Sequence, residues 1–422
     1  RIAALASDLR ILALHILLPA DAADALPPVT ELWRDFAAEP AAGDDAELHA
    51  NRPERFREFV ASMQPTDAAS DTAGSPPPLY FLHSLLPHAP WQYLPSGRAY
   101  HPSNIGIDMS NWGAEPWWIT QGQQQHLLQL GFTDALLGEL VSRLEAVGLF
   151  ERSLLIVTAD HGAGFWPNRS RRDIHEHPSD AVGIPLFVKL PGQSERRLVR
   201  GNVEIVDILP TVAQVIGARV PWPVDGCSML DSACPPRTRK HLADLYGSRV
   251  IEADRLGLGE SLYNKLGRFG SGASTGEAGL FAPDLRPDLR GRRVDEFETG
   301  PPTKRVLLMR DGFDHRRRDP DAHSTARISG RIGPERGESM PDAVAVAIRG
   351  VIRAVVPVIA HAGPGRLFSG FVAEDLEPAE ESDVEIYSLD VDSDRPVLRR
   401  LPRLRWVQHD SARFEPIAPD DF

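Results

Sequence analysis

The sequence predicts an α/β layer of mostly parallel strands with helices on both faces, followed by an all-β, sandwich-like region. Three observations carry this expectation. Leu154 to Val157 is an unbroken apolar run of strand length, which suits a strand covered on both faces. A long amphipathic pattern, Gln121 to Gly148, delivers the chain to that strand and completes a β–helix–β unit. From residue 301 the texture changes to short apolar runs spaced by Gly, Pro and Asp turns.

Composition excludes several classes. The chain has 422 residues, 42% hydrophobic and 25% charged, so it has enough length and apolar content for real cores. Its formal net charge of −13 argues against nucleic acid as the main partner, since phosphate binding needs a basic face. Arg316-Arg317-Arg318 reads as a solvated loop beside Asp314 and Asp319. The two cysteines, Cys227 and Cys234, form either a small disulfide or two free thiols. Ile11 to Leu18 is apolar but far short of the roughly 20 residues a spanning helix needs. No signal peptide is visible and the first residue is not Met, so a piece of a longer precursor is expected.

In chain order, Asp8 to Pro19 reads as a buried strand with His15 as a core histidine. Arg52 to Met63 is a short amphipathic helix, and Asp67 to Pro78 a flexible lead-in. Leu79 to Leu82 is expected as a second core strand, with His83 and His88 just beyond its carboxyl end. Trp112, Trp117 and Trp118 serve either a pocket wall or loop packing. In the following helix Leu127, Leu128, Leu130, Leu136, Leu137, Leu140, Val141, Leu144 and Val147 make a broad apolar stripe, and Gly148 is a natural stop.

The central strand ends at Asp160-His161-Gly162. Ligand sites lie beyond the carboxyl ends of strands in open sheets. Asp160 and His161 together make half of a divalent metal site, and Gly162 permits a sharp turn after them. The loop from Ala163 to Asp180 is rich in Arg and His, including Arg169, Arg171, Arg172, His175 and His177. Such a loop suits an oxyanion, which needs cationic or hydrogen-bonding partners. Pro185 to Leu190 is another core strand, and Asp207 opens a helix ending near Gly217 in a capping or structural role. Two weaker motifs are rejected. Gly270 to Thr275 lacks a third glycine for a phosphate loop, and Cys234-Pro-Pro-Arg237 has its Arg one position early.

Four stretches, in order, resemble the sulfatase branch of the alkaline-phosphatase superfamily: Pro78 to Pro90 with its Pro-His-Ala-Pro turn, Thr158-Ala-Asp160-His161-Gly162, Gly183 to Gly192, and Val203 to Thr211 followed by Pro223-Val-Asp225-Gly226. The resemblance covers roughly residues 75–235 and implies an alkaline-phosphatase-like fold. A sulfatase-like domain lacking its N-terminal part is expected at 1–235, and the change of texture beyond it suggests a connector at 236–300 and a β-sandwich-like domain at 301–422. The resemblance implies metal-dependent hydrolysis of sulfate or phosphate esters, by a covalent intermediate.

In that frame Asp160 and His161 are metal ligands, His88 and His175 catalytic or oxyanion contacts, and His83, His177 and Arg172 substrate-binding residues. The family's nucleophile and early acidic ligand are not found in this chain, so the fragment is expected to be inactive or nearly so. The implied cofactor is calcium or zinc, with manganese or magnesium as alternatives. The implied substrate is a small-molecule, glycan or lipid ester, and the implied location the extracytoplasmic face of a membrane, reached through a missing N-terminal segment; this chain alone is expected to be soluble. Two other readings stand beside this one: a phosphotransferase acting on an envelope lipid or glycan, and a non-catalytic module with a degenerate fold.

Overall fold

The computed structural model describes residues 51–65, 78–100, 112–199, 201–244, 247–256, 258–271, 276–281, 283–303, 306–308, 323–333, 339–360, 365–378, 380–407 and 413–416. The expected strand at 8–19 with His15 and the basic run at 316–318 lie outside these residues. The chain divides into two compact units, residues 1–59 with 81–85, and residues 60–80 with 86–422. Among the described residues the first unit holds the start of helix α1 (Arg52–Ser62) and the segment carrying His83. Apart from Phe81 and His83, everything below concerns the second unit.

Helix α2 (Pro116–Ala146) starts five residues before the sequence pattern does. Pro116 occupies its first turn and the Glu115 carboxylate accepts the Trp117 N–H at 3.2 Å, which together nucleate the end. Leu128, Phe132, Leu136, Leu140 and Leu144 recur every fourth residue and are all buried. Gly148 stops the helix in the left-handed region at φ 69°.

Strands β1 (Leu155–Thr158) and β2 (Leu186–Lys189) follow. They pair antiparallel with Val157 opposite Phe187, and among the described residues they pair only with each other. The parallel neighbours expected for β1 are not among those residues. The expected second core strand at 79–82 does not form a ladder, and Leu79 and Phe81 are 85% and 78% exposed. An apolar run becomes a strand only where another backbone completes its hydrogen bonds, and no described segment does so here.

After β2 come helix α4 (Ile208–Ile216) and the hairpin β3 (Arg239–Asp244) with β4 (Gly247–Glu252), the short helix α3 (Pro178–Val182) having preceded β2. Asp207, expected as a cap or structural residue, is buried. Its carboxylate accepts the N–H groups of Glu204 and Cys227 at 2.9 Å and the Arg237 guanidinium. Burial pushes this carboxyl up, but Arg237 and the two backbone donors outweigh it and hold the group below its usual range. The cysteines form a disulfide, Cys227–Cys234, with Cα atoms 6.0 Å apart. Helix α5 (Leu258–Phe269) then leads to the β layers.

Two sheets make those layers. One holds β5 (Val306–Leu308), β6 (Arg327–Ile332), β9 (Ile359–Ala360), β10 (Arg366–Phe371), β13 (Arg403–Val407) and β14 (Arg413–Pro416), in the order β14-β13-β5-β6-β10-β9. The other is β12-β11-β7-β8, from β7 (Ala343–Ile348), β8 (Val351–Pro357), β11 (Val384–Leu389) and β12 (Arg399–Arg400). All six residues of β7 are buried, and the two-residue period of the strand sorts them. Val344, Val346 and Ile348 join Ile328, Leu367 and Phe368 of the other sheet in the principal core. Ala343, Ala345 and Ala347 face a second core closed by Leu289, Val294 and Leu398.

The principal core does not stop at the sheets. It also contains Trp91, Trp112, Trp117 and Phe165, and the Trp117 indole N–H donates to the Ser369 carbonyl at 3.0 Å. The β layers therefore form the wall against which the start of α2 and the His88 loop are packed.

Candidate active site

The Asp-His-Gly turn leaves the end of β1 as the sequence predicts. Asp160 is exposed and its Oδ1 accepts the His161 N–H at 2.8 Å. The His161 Nδ1 lies 2.8 Å from the Gly162 carbonyl oxygen, which can only accept. Nδ1 is therefore the donor to that carbonyl, which leaves Nε2 as the ring atom directed away from it. That Nε2 is 3.8 Å from Asp160 Oδ2, so one nitrogen and one carboxylate oxygen converge on the same space. The backbone carbonyl in the outer position is how metal-binding histidines are commonly oriented. The pair suits a divalent cation as two of its ligands.

Gly162 is fixed by close approach. Its N–H donates to Ala181 O at 2.7 Å, and a Cβ placed there would lie 2.1 Å from Asp180 O. Any side chain would push the turn away from α3. Gly164 N–H likewise donates to Arg171 O at 2.8 Å, so the loop folds back on itself.

His88 has the same ring orientation, with Nδ1 2.7 Å from Ala89 O. Its loop is clamped from behind by Gln129, which is fully buried on α2. The Gln129 amide donates to His88 O at 2.8 Å and accepts the Gln92 N–H at 3.0 Å. Trp91 closes the same loop by donating to Pro87 O at 3.1 Å. The His88 and Asp-His-Gly loops are joined by aromatic rings. Trp91 stacks on Trp112 at 6.2 Å, and Trp112 meets Phe165 at 5.2 Å and donates to Gly164 O at 2.8 Å. Of the two roles open to Trp112, packing is the one it fills. Gly122 leaves it room, since a Cβ there would meet the indole at 2.4 Å.

The remaining candidates are placed as follows. His175 is exposed, with its N–H bonded to Asp173 Oδ1 at 2.7 Å. His177 lies flat on Trp166, ring centroids 3.8 Å apart. Arg172 is exposed, and Arg169 is ion-paired with Glu176. His83 lies in the first unit. Among the described residues, none of these histidines joins Asp160 and His161 in a group of three ligand atoms within 4.8 Å. The one group of that kind is Cys227, Asp231 and Cys234, whose sulfurs are consumed by the disulfide.

Sequence reasoning missed two positioning groups. One is Gln129. The other is His126, in edge contact with Trp91 at 5.8 Å. Burial first, then the charges of Lys265 and Arg171, draw its pKa down to about 4. The signal was present as the run Gln121 to His126, where a buried helix face carries amides instead of apolar side chains.

Comparison with known proteins finds the following similarities. Residues 39–218 match the model of the Sulfatase family. Arylsulfatase K of Bos taurus is 33% identical over 103 residues, covering 24% of this chain and 18% of the relative. That of Canis lupus familiaris is 34% identical over 98 residues, 23% of this chain and 18% of the relative. The multifunctional alkaline phosphatase superfamily protein PehA of Trinickia caryophylli is 29% identical over 99 residues, 23% of this chain and 19% of the relative. The match thus spans under a fifth of each relative's length. These matches support a member of the sulfatase branch of the alkaline-phosphatase superfamily over residues 39–218.

Proposed function

We propose that this chain supplies part of the active site of a metal-dependent hydrolase of sulfate esters that works through a covalent intermediate. The observation that carries the reading is the convergence of His161 Nε2 and Asp160 Oδ2, 3.8 Å apart, beyond the end of β1. Asp160 and His161 hold the cation, calcium or zinc in the first place and manganese or magnesium otherwise. When bound, that cation polarises the ester and favours the charge of the departing oxygen. His88, held by Gln129, offers Nε2 as a proton acceptor near the ester. His175, with His177 and Arg172, binds the oxyanion. No nucleophile is assigned within this chain. Phosphate esters are the alternative substrate, favoured by the likeness to PehA. The substrate is a small molecule, glycan or lipid, met outside the cytoplasm, and the disulfide supports that compartment. Among the described residues no helix is long and apolar enough to cross a membrane.

Titration of the chain with zinc, calcium and manganese by calorimetry tests the reading. One of these should bind, and Asp160→Ala or His161→Ala should weaken it by about 10–100-fold, as loss of an inner ligand or its support does. Unchanged affinity in both variants overturns it. Aryl sulfate and aryl phosphate should show no appreciable turnover with residues 1–422 alone, and clear metal-dependent turnover would refute the partial site.

A further inference from the structure

A separate cleft opens between α2, the turn at Phe165 and Trp166, Asp180 of α3, and α5. It spans about 300 Å³ of empty space, part of which is open solvent. Gln123, Phe165, Asp180 and Ser261 form its buried floor, and Lys265, Asn264 and Arg268 rise toward an exposed rim. The closed part of the floor has room for about two water molecules. That size admits a small charged group and excludes a sugar or aromatic ring.

The charges decide which group. The Asp180 carboxylate is taken up within the protein, accepting the Trp166 N–H at 2.6 Å, the Ser261 hydroxyl and the Lys265 ammonium at 3.4 Å. It is neutralised by Lys265 and held away from a ligand. Arg268 donates to the Gln123 amide oxygen at 3.0 Å, a neutral acceptor, so its positive charge has no carboxylate partner among the described residues. With its oxygen turned to Arg268, Gln123 keeps its NH₂ to offer a ligand. The remaining guanidinium, ammonium and amide hydrogens are all donors. The nearby His126 feels the same field: after burial, Lys265 is the next cause that drives its proton off.

We propose that this cleft is a binding site for a small oxyanion of sulfate or carboxylate size, gripped by Arg268 and Lys265 with the Gln123 amide at its base. A guanidinium, an ammonium and an amide NH₂ around one cleft, whose carboxylate is already bonded to Trp166, Ser261 and Lys265, form an arrangement that recognises such groups. The anion arrives either free or carried on a ring that stays at the mouth beside Trp166. The site uses neither Asp160, His161 nor His88, so it does not depend on the hydrolase reading.

Calorimetric titration of the full chain at constant ionic strength with sodium sulfate, sodium glucuronate and glucose tests it. Saturable binding of sulfate or glucuronate, without binding of glucose, is expected. Glucuronate tighter than sulfate identifies a ring-borne anion, and the reverse a free one. Arg268→Gln, at an exposed position whose folding is checked by thermal melting, should weaken binding about tenfold, a loss of one charged contact. Lys265→Gln should do the same. Asp160→Ala should leave it unchanged. Absence of saturable anion binding overturns the proposal, and so does affinity that survives both cation variants or disappears with Asp160→Ala.

Discussion

The strands of the β layers and the pair β1–β2 are built from similarly apolar runs, yet they meet different surroundings. In β7 every side chain is between 0% and 3% exposed, because a sheet lies on one face and the 284–303 segment on the other. In β1 no residue is fully buried, and Phe187 of β2 is 66% exposed. The same contrast separates α2, whose leucine row is buried, from α4, which leaves Leu209 and Ile216 about half exposed at 47% and 51%. Apolar content measures how much covering an element needs. Neighbours decide how much it receives, and burial is where the stabilisation comes from, at about 25 cal/mol per Å².

This contrast can be broken or sharpened by mutation. The largest effect is expected in the principal core, where Phe368→Ala should cost about 3–5 kcal/mol in urea unfolding. A cost under about 1 kcal/mol would show that the β layers are no tighter than the strand pair. Next comes Asp207→Ala, which removes three donors' common acceptor and should cost about 2–4 kcal/mol. Because the folded carboxyl titrates below its usual value, this contribution is present above pH 4 or so and is lost as pH falls through the folded pKa. Losing the short disulfide loop in a Cys227→Ser, Cys234→Ser double variant should cost about 2–3 kcal/mol.

His126, held neutral in the fold, gives an effect of comparable or smaller size in the same direction. Its pKa is lowered to about 4, so the unfolded chain takes up its proton first as pH falls. Stability should decline between about pH 6.5 and pH 4, by about 2–3 kcal/mol, and His126→Phe should flatten that part of the profile. The smallest effect should come from Phe187→Ser, within about 0.5 kcal/mol, since the ring is mostly solvated already. A large loss there would mean that β2 is covered in solution.

The sequence made some of these features legible and hid others for physical reasons. The helix stripe, the strands β5, β7, β8, β10 and β11 and the Asp-His-Gly turn at a strand end were readable, because period and local turn chemistry are properties of neighbouring residues. The antiparallel pairing of β1 with β2 was not, since an apolar run carries no record of its partner's direction. The run at Leu79 to Leu82 misled for the same reason. Of the site, Asp160 and His161 could be found by spacing. Gln129 could not, because its role depends on facing a loop 41 residues away in sequence. Nor could the sharing of one core between the β layers and the His88 loop, which only the folded chain reveals.

The segment between β1 and β2 begins and ends almost at one point. The Thr158 hydroxyl, where it departs, bonds to the carbonyl of Pro185, where it returns, across 2.9 Å. A segment with closed ends can change length or composition without altering the spacing of the strands that hold it. The arginines and histidines of this excursion thus hang from a root that the Thr158–Pro185 bond closes, and a substitution among them need not move Asp160 and His161, which sit at that root.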